Sequence, residues 1–516
     1  MERVDVLVVG AGLGGLSASV FLALGGVDVL TVERHPGTSL HPRASGQTPR
    51  TMELYRFAGI DRKVLGVSER ASRGLRITVA ASLSGPVFHR IVEDLGEIDL
   101  SAATAAPWGM AGQDVVEPIL LERAREAGAD VRFSTELVSF TQDDDGVTAV
   151  LRSRAGSETT VRASYLVAAD GGRSRIREAL GIGTSGLGAI AQSIGVVFDA
   201  DLGDRLLPGV TDLFYLQHPE FTGALVNTDV PGRYVCAVDI GPGETADDFP
   251  EERLVHLIRV ATDLPDLEPK IQWTGAWEMA ARVADRFAAG RVFLVGDAAK
   301  VTPPTGGMGG NTAVGDGHDI AWKLAAVLRG DAGPGLLDSY EAERKPIAEM
   351  VVSTSLHNAK ERMVPDLDLT GVAPPVDQIA LTLGFRYRSG AVLAEDDDLL
   401  ENPVEPSGRP GFRAPHVPTT TGSTWDFLGH GWVVFGTGGW RDAVAEVRAE
   451  TGIALEYREC GADFDDPDGV FRARFGLGDG GASLVRPDGI VAWRCPGGAA
   501  DPAATLWEVL ARVLSR

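Results

Sequence analysis

Two glycine-rich turns and three carboxylates at strand ends are where this 516-residue sequence could do chemistry. The first turn reads Gly10-Ala11-Gly12-Leu13-Gly14-Gly15, between a β-branched apolar run and a run rich in Ala and Leu. That order predicts strand, tight turn and helix. Gly10 lets the chain leave the strand, Gly12 removes the Cβ that would obstruct a pyrophosphate, and Gly15 lets helix and strand pack closely. The unpaired amides at the helix start then face two phosphates. Glu33, eighteen positions beyond Gly15, ends a second apolar run. It is placed to accept hydrogen bonds from ribose hydroxyls, and its charge disfavours a 2′-phosphate. FAD and NAD both fit; NADP fits poorly.

The second carboxylate, Asp170, follows an apolar run over 165–169 and leads through Gly171 and Gly172 to a helix starting at 173–175. Ligands of open α/β sheets bind at such strand ends, although a plain strand-to-helix turn would read the same way. The third, Asp297, follows the apolar run 292–295, and the loop from Pro303 to Asn311 opens an amphipathic helix. A carboxylate suits a polyol such as ribityl, whereas clustered amides at a helix start suit the electron-rich pyrimidine edge of a reduced flavin. Two such strand-end acids with two anion-ready turns select FAD. In the turn-rich loop after Glu33, Arg43 and Arg50 stand out. One arginine there can pair with a pyrophosphate and another can receive an incoming nicotinamide cofactor; solvated surface arginines are the plain alternative.

The elements that must position these groups follow from periodicity. Gln113 opens a helix with Val116, Ile119, Leu120 and Ala124 on one face, and a hairpin turns at Asp145-Gly146. Residues 75–100 read as strands. Residues 183–285 are short alternating runs between Gly, Pro and Asp turns, an antiparallel sheet with one helix near 250–262. A helix with Pro346 as its expected kink follows, then a Pro-, Gly- and Asp-rich linker, then strands and helices alternating over 420–516. The expected organisation is α/β and α+β. A Rossmann-like FAD-binding domain comes in two parts, 1–182 and 286–363, around a substrate domain at 183–285. A linker at 364–419 leads to a small separate domain at 420–516.

The formal net charge of −24 disfavours nucleic acid and anionic membrane surfaces. Cys236, Cys460 and Cys495 form no CxxC and no metal-ligand spacing, so neither a disulfide framework nor a metal site is expected. A reducing cytoplasm is the natural compartment, with no export or membrane signal.

The segments GAGLGG with Glu33, RASGQTPRTMEL, VAADGGRSRIR and GDAAKVTPPTGGMGGN resemble the group A FAD-dependent aromatic hydroxylases over residues 1 to about 360. The tail resembles the thioredoxin-like third domain of phenol and polyketide hydroxylases. LGFRYRSGAV, SGRPGFRAPHV and GASLVRPDGIVAWR are similar to the aklavinone 11-hydroxylase branch in anthracycline biosynthesis. The resemblance implies that Gly12 to Gly15 hold the pyrophosphate and Glu33 the adenosine ribose, with Arg34, Arg43 and Gln113 also contacting FAD. It gives Asp170 a part in FAD and NAD(P)H handling, Asp297 the ribityl chain, and Pro304, Gly307, Gly309, Gly310 and Asn311 the isoalloxazine surround. Many relatives have His where Lys300 stands, so a histidine role does not carry over. The tail lacks the thioredoxin CxxC, which leaves it a structural or oligomer-stabilising role in a monomer or homodimer.

The implied reaction uses NADPH or NADH to reduce FAD. O₂ adds at flavin C4a, and the hydroperoxide passes oxygen to a phenolate-activated ring of an anthracycline-like polyketide. No Ser, Cys or His constellation competes with that chemistry. Arg386 is the expected stabiliser of the substrate phenolate, against the alternative of a linker arginine paired with a surface acid. Epoxidation or Baeyer–Villiger oxidation of a polyketide would use the same FAD residues.

Overall fold

A computed structural model of the chain describes residues 1–41, 45–67, 74–207, 209–420, 422–466 and 468–516. Its first sheet grows from the β-branched run at the start. The strand Glu2–Val9 lies between Val29–Val32 and Glu158–Ala168, parallel to both. Asp130–Arg132 and Val292–Leu294 extend the parallel set on either side. The hairpin Thr135–Asp143 and Gly146–Ser153 turns where Asp145-Gly146 predicts, and joins the sheet through Glu158–Ala168. The helix Leu13–Leu24 is buried over most of its length because it is enclosed between this sheet and a second helix, Met308–Leu328. A helix apolar on all sides needs such enclosure. The two helices cross at glycines: a Cβ on Gly317 would lie 2.5 Å from the Gly14 carbonyl oxygen.

The second sheet has eight strands. It is antiparallel except where Thr211–His218 runs parallel to Leu75–Ala80. Its membership corrects the expected boundaries. Leu75–Ala80 and Val87–Val92 lie inside the first nucleotide-binding segment of the sequence, yet they form one edge of this sheet. Alternation announces a strand but not its partner: Leu75–Ala80 pairs with Thr211–His218 more than a hundred residues downstream and carries Val87–Val92 with it as the edge strand. The helix Glu251–Thr262, entered at Pro250, covers one face with Leu254, Leu257 and Ile258 against Phe198, Phe214 and Leu216.

The segment 364–419 contains a short helix, Gln378–Leu383, and little other regular structure, but it is not a loose linker. Phe385, Tyr387, Val392, Phe412, Ala414 and Val417 are all buried. Beyond it, Trp432–Gly436 pairs in parallel with Leu455–Glu459 and antiparallel with Ala482–Val485, which in turn pairs with Val491–Cys495. This is the mixed sheet of a thioredoxin-like domain. Its core is shared with the rest of the chain: Trp432 meets Trp322 of the helix Met308–Leu328 edge to face, with centroids 6.2 Å apart.

Charges are buried at the same junction. Lys323 Nζ donates to Asp319 (2.6 Å) and Glu343 (2.7 Å), while Arg486 donates to both oxygens of Glu343 (2.6 and 2.9 Å) and to Asp488. Glu343 stands on the helix Asp338–Arg362, which runs on through Pro346. Three carboxylates thus meet two cations out of water. The excess falls on Asp319, whose Oδ1 has no hydrogen-bond partner and whose carboxyl is pushed by burial up to about 7.

Because that folded-state value exceeds the unfolded one, the contribution of Asp319 to stability is complete in acid and is lost as pH rises through about 7. Urea unfolding of the wild type should therefore weaken from about pH 4 to about pH 7, by up to ~1.4 kcal/mol per unit, and level off above that. Asp319→Asn, whose amide stands in for the protonated carboxyl, should abolish that slope.

Candidate functional site

The fingerprint glycines divide by what surrounds them. Gly10 has φ +107°, and a Cβ there would overlap the Ala169 carbonyl oxygen; a Cβ on Gly15 would overlap the Gly10 carbonyl oxygen. These two are demanded by packing between strand ends and helix. A Cβ on Gly12 would find no atom nearer than Glu117 Oε1 at 3.7 Å, so its bareness keeps open space over the helix start. No side chain caps that helix at Gly12, leaving first-turn amides, including that of Leu13, facing the space. Glu33 lies at its rim, accepting from Ala11 N (2.9 Å) and His35 N (2.8 Å). Arg34 is exposed beside it. Arg43 lies outside the described residues.

The flavin half lies against the same helix. A Cβ on Gly14 would be 3.7 Å from Gly296 Cα, so Asp297 is brought next to the fingerprint although nearly three hundred positions separate them. Asp297 is exposed while Gly296 and Ala298 are buried, which presents its carboxylate to the groove. The turn is fixed from behind: Gly296 N donates to Asp316 Oδ2 (3.1 Å), which also receives Lys300 Nζ (2.6 Å), and Arg344 Nε binds the other oxygen (2.8 Å). Lys300 is thereby a buried positioning residue. Asp316 stays well below the usual carboxylate range because these two cations outweigh its burial.

The loop before Met308–Leu328 turns through Gly306 (φ +126°) and Gly307 (φ +66°), and Gly307 caps the helix with no side-chain bond. Pro304 and Gly307 are exposed, with Gly309 and Gly310 half-buried. Asn311 accepts from Thr48 N (2.9 Å) and Thr51 Oγ1 (2.6 Å) and donates to Gly46 O (3.0 Å) and Gly307 O (2.7 Å). Its amide therefore clamps the loop to the segment after Glu33.

Several of the expected cofactor residues are tied to the protein's own loops. Asp170 accepts from Ser174 Oγ (2.5 Å) and Ile176 N (3.2 Å), so its carboxylate shapes the Gly171-Gly172 turn. Gln113 Nε2 donates to Glu117 (2.6 Å), whose other oxygen receives Ser39 N (2.7 Å). Glu117, which the sequence analysis missed, ties the loop to the helix; its one signal was the i, i+4 spacing from Gln113.

Two arginines need correction. Arg50 does not await a nicotinamide: it is buried, donating to Asp488 O (2.7 Å) and lying over Trp425. Arg386 does not reach the cleft. Its guanidinium is ion-paired with Asp396, donates to Pro410 O (2.8 Å) and lies over Phe412. Such an arginine orders the segment 384–412, and the apolar neighbours that suggested a ligand pocket are its packing.

In place of Arg386, the second sheet offers Tyr215. Alternation along Thr211–His218 turns Phe214 and Leu216 to the helix-covered face and Tyr215 to the other, among Val79, Met279, Ala359 and Met363. Arg362 lies over its ring at 5.8 Å. Burial raises the Tyr215 hydroxyl and Arg362 opposes the rise. Arg362 is itself buried, and its Nε, 3.7 Å from a Glu361 carboxylate oxygen, has no hydrogen-bond partner among the described residues. The glycine loop is bound to the same helix one and two turns earlier, through Asn358 Nδ2 to Thr305 O (3.3 Å) and Thr305 Oγ1 to Ser355 O (2.8 Å). One helical turn is about 5 Å, so the pair flanks the loop. No motif marks either residue.

Known proteins share this architecture. Residues 3–355 match the FAD binding domain family, and residues 407–516 match the aromatic-ring hydroxylase C-terminal family. Aklavinone 12-hydroxylase RdmE of Streptomyces purpurascens is 50% identical, over 100% of this chain and 99% of its own. Tetracenomycin A2 monooxygenase-dioxygenase of Streptomyces glaucescens is 38% identical, over 100% and 98%. Among solved structures, the ternary complex of aklavinone-11 hydroxylase with FAD and aklavinone superimposes with a TM-score of 0.95 at 50% identity over both entire chains. The flavin-dependent monooxygenase PieE with FAD and substrate gives 0.86 at 31% identity over 99% of each.

Gly12→Val fills the open space without touching backbone, so it should leave thermal unfolding of the apoprotein within about 0.5 kcal/mol of wild type while FAD no longer co-purifies. Flavin absorbance per protein measures the second effect. Arg386→Met should do the reverse, costing about 1–3 kcal/mol in urea unfolding because the Pro410 carbonyl loses its donor while Asp396 keeps Arg409, with the flavin retained.

Proposed function

The chain belongs to the FAD-dependent aromatic-ring hydroxylases, and from that premise we propose that it hydroxylates a polycyclic aromatic polyketide at the expense of NAD(P)H and O₂. The observation that carries this reading is the Tyr215–Arg362 pair, buried on the face of the second sheet that flanks the glycine loop. The 50% identity to an aklavinone hydroxylase across the whole chain supports an anthracycline-like substrate class.

The groove fits FAD on its own terms. It has open space over an uncapped helix start, a rim carboxylate at Glu33, and a second exposed carboxylate at Asp297 beside an uncapped glycine loop. Those residues would hold the cofactor, which when bound supplies the electron transfer and the activation of dioxygen. In the balanced reaction the ring gains one oxygen atom, the other leaves as water, and NAD(P)H supplies the electron pair.

The chain's own residues prepare the ring. A substrate phenol at the cleft face meets the Tyr215 hydroxyl and the open Nε of Arg362. The phenol gives its proton up to solvent as it enters, and Tyr215 Oη, which burial keeps protonated, donates a hydrogen bond to the resulting phenolate oxygen. Arg362 Nε donates to the phenolate oxygen, a charge-assisted bond that strengthens where water is excluded. Val79, Met279 and Met363 supply that exclusion. The phenolate raises electron density at the neighbouring ring carbons, which is what an electrophilic oxygen requires.

Tricyclic and tetracyclic aromatic polyketides should stimulate NAD(P)H oxidation and gain one oxygen atom by mass. A panel in which no member does so refutes the reading. Tyr215→Phe should lower kcat for product formation by about 100-fold or more while FAD content stays at the wild-type level.

A further inference from the structure

The side chain nearest to the space that Gly12 keeps open is an acid. Glu117 stands one turn into the helix Gln113–Glu126, between Val116 and Leu120 of the core, and is only 2% exposed. Its Oε1 lies 3.7 Å from where a Cβ on Gly12 would be, so it walls the space over the uncapped start of Leu13–Leu24. A pyrophosphate oxygen that enters this space meets Oε1 directly.

The described groups around Glu117 offer it no compensating charge. Glu33 lies within electrostatic reach from the end of Val29–Val32, Asp114 from its own helix, and the Tyr55 hydroxyl from the helix Pro49–Phe57. His41 lies within reach of Asp114, and Arg43 is outside the described residues. The hydrogen-bond partners of Glu117 are neutral: Ser39 N donates to Oε2 (2.7 Å) and Gln113 Nε2 to Oε1 (2.6 Å). Burial, with the charges of Glu33 and Asp114 added, raises the Glu117 carboxyl above its ordinary value against those two bonds.

Two oxyanions that meet out of water share a proton, as paired buried carboxylates do. A neutral acid at this place leaves no atom unsatisfied. Oε2 keeps its bond from Ser39, and Oε1 keeps its bond from Gln113 while its own proton points to the phosphate. Resting on the FAD groove and not on the substrate, we propose that Glu117 binds the FAD pyrophosphate as the neutral acid, donating from Oε1 to a phosphate oxygen, so that FAD binding takes up one proton. That proton comes from solvent, and no bond of the cofactor breaks.

For the test, the full-length protein is stripped of flavin and titrated with FAD between about pH 6 and pH 9, where FAD itself does not titrate, with flavin fluorescence as the readout. Calorimetry in two buffers of different ionisation heat counts the protons. In that range the wild type should reach an uptake of about one proton per FAD, and its Kd should rise by up to about tenfold per pH unit toward the alkaline end. Glu117→Gln, whose amide donates from the same place, should take up none and hold one affinity across the range. Asp114→Asn should keep the uptake. Uptake that survives in Glu117→Gln, or that is lost in Asp114→Asn instead, overturns the proposal. So does a wild-type affinity that does not change with pH, as neutralisation by Arg43 alone would give. If Glu117→Gln does not fold, the proton counts of the wild type and Asp114→Asn decide. Protein that binds no FAD at any pH overturns the assignment of the groove, and this proposal with it.

Discussion

The groove exists because two helices from opposite ends of the nucleotide-binding domain approach backbone to backbone. Gly317 leaves room for the Gly14 carbonyl, and Gly14 lies against Gly296. At that distance no side chain can intervene, so the turn carrying Asp297 is set relative to the fingerprint by main-chain contact, which has few degrees of freedom. Asp316 completes the constraint one residue from Gly317. It receives the Gly296 amide, Lys300 and Arg344, joining the turn, its following strand and the long helix Asp338–Arg362 at one carboxylate. A buried carboxylate left without those cations would carry a desolvation cost of several kcal/mol.

Much of this was legible in the residues, and the reason is local. A glycine that must have positive φ or make a close contact, a carboxylate at a strand end, and a β-branched buried run are each written within a few positions, as at Gly10, Glu33 and Asp297. What escaped were side-chain roles settled by distant partners. Asn311, Gln113 and Asp170 all stand in motifs expected to touch cofactor, and all three carry hydrogen bonds within the protein that shape the walls. Tyr215 and Arg362 carry no motif, because the pair forms only when a sheet strand and a helix end meet across more than a hundred positions. Arg386 misled for the opposite reason: an arginine among aromatics suits a ligand pocket and a packed ordering contact equally well until Asp396 and Phe412 are seen beside it.

Domain boundaries were misread at the two places where chain order and spatial order part. The strands at 75–92 are given to the sheet of the other domain, and the segment 384–417 is buried although its composition is that of a linker. Proline and glycine content reports the absence of regular hydrogen bonding, which is true of this segment, and says nothing about burial. The C-terminal sheet in turn shares an apolar core with the helix Met308–Leu328 and contributes Arg486 and Asp488 to a charge cluster whose other members lie on two helices of the flavin domain.

That shared cluster sets how this architecture can be recombined. A chimera that exchanges the tail at the compositional break near residue 420 would separate Arg486 from the Glu343 it was matched to, and leave Phe385, Tyr387 and Phe412 facing a foreign surface. A seam that respects the physics must carry the buried ribbon with the tail and bring matching acids on both helices. Variation among relatives should accordingly travel in concert across these three stretches, while the positions around Tyr215 on its sheet face are free to diversify by themselves. In such an arrangement the tail acts as a keel, and novelty of substrate arises elsewhere.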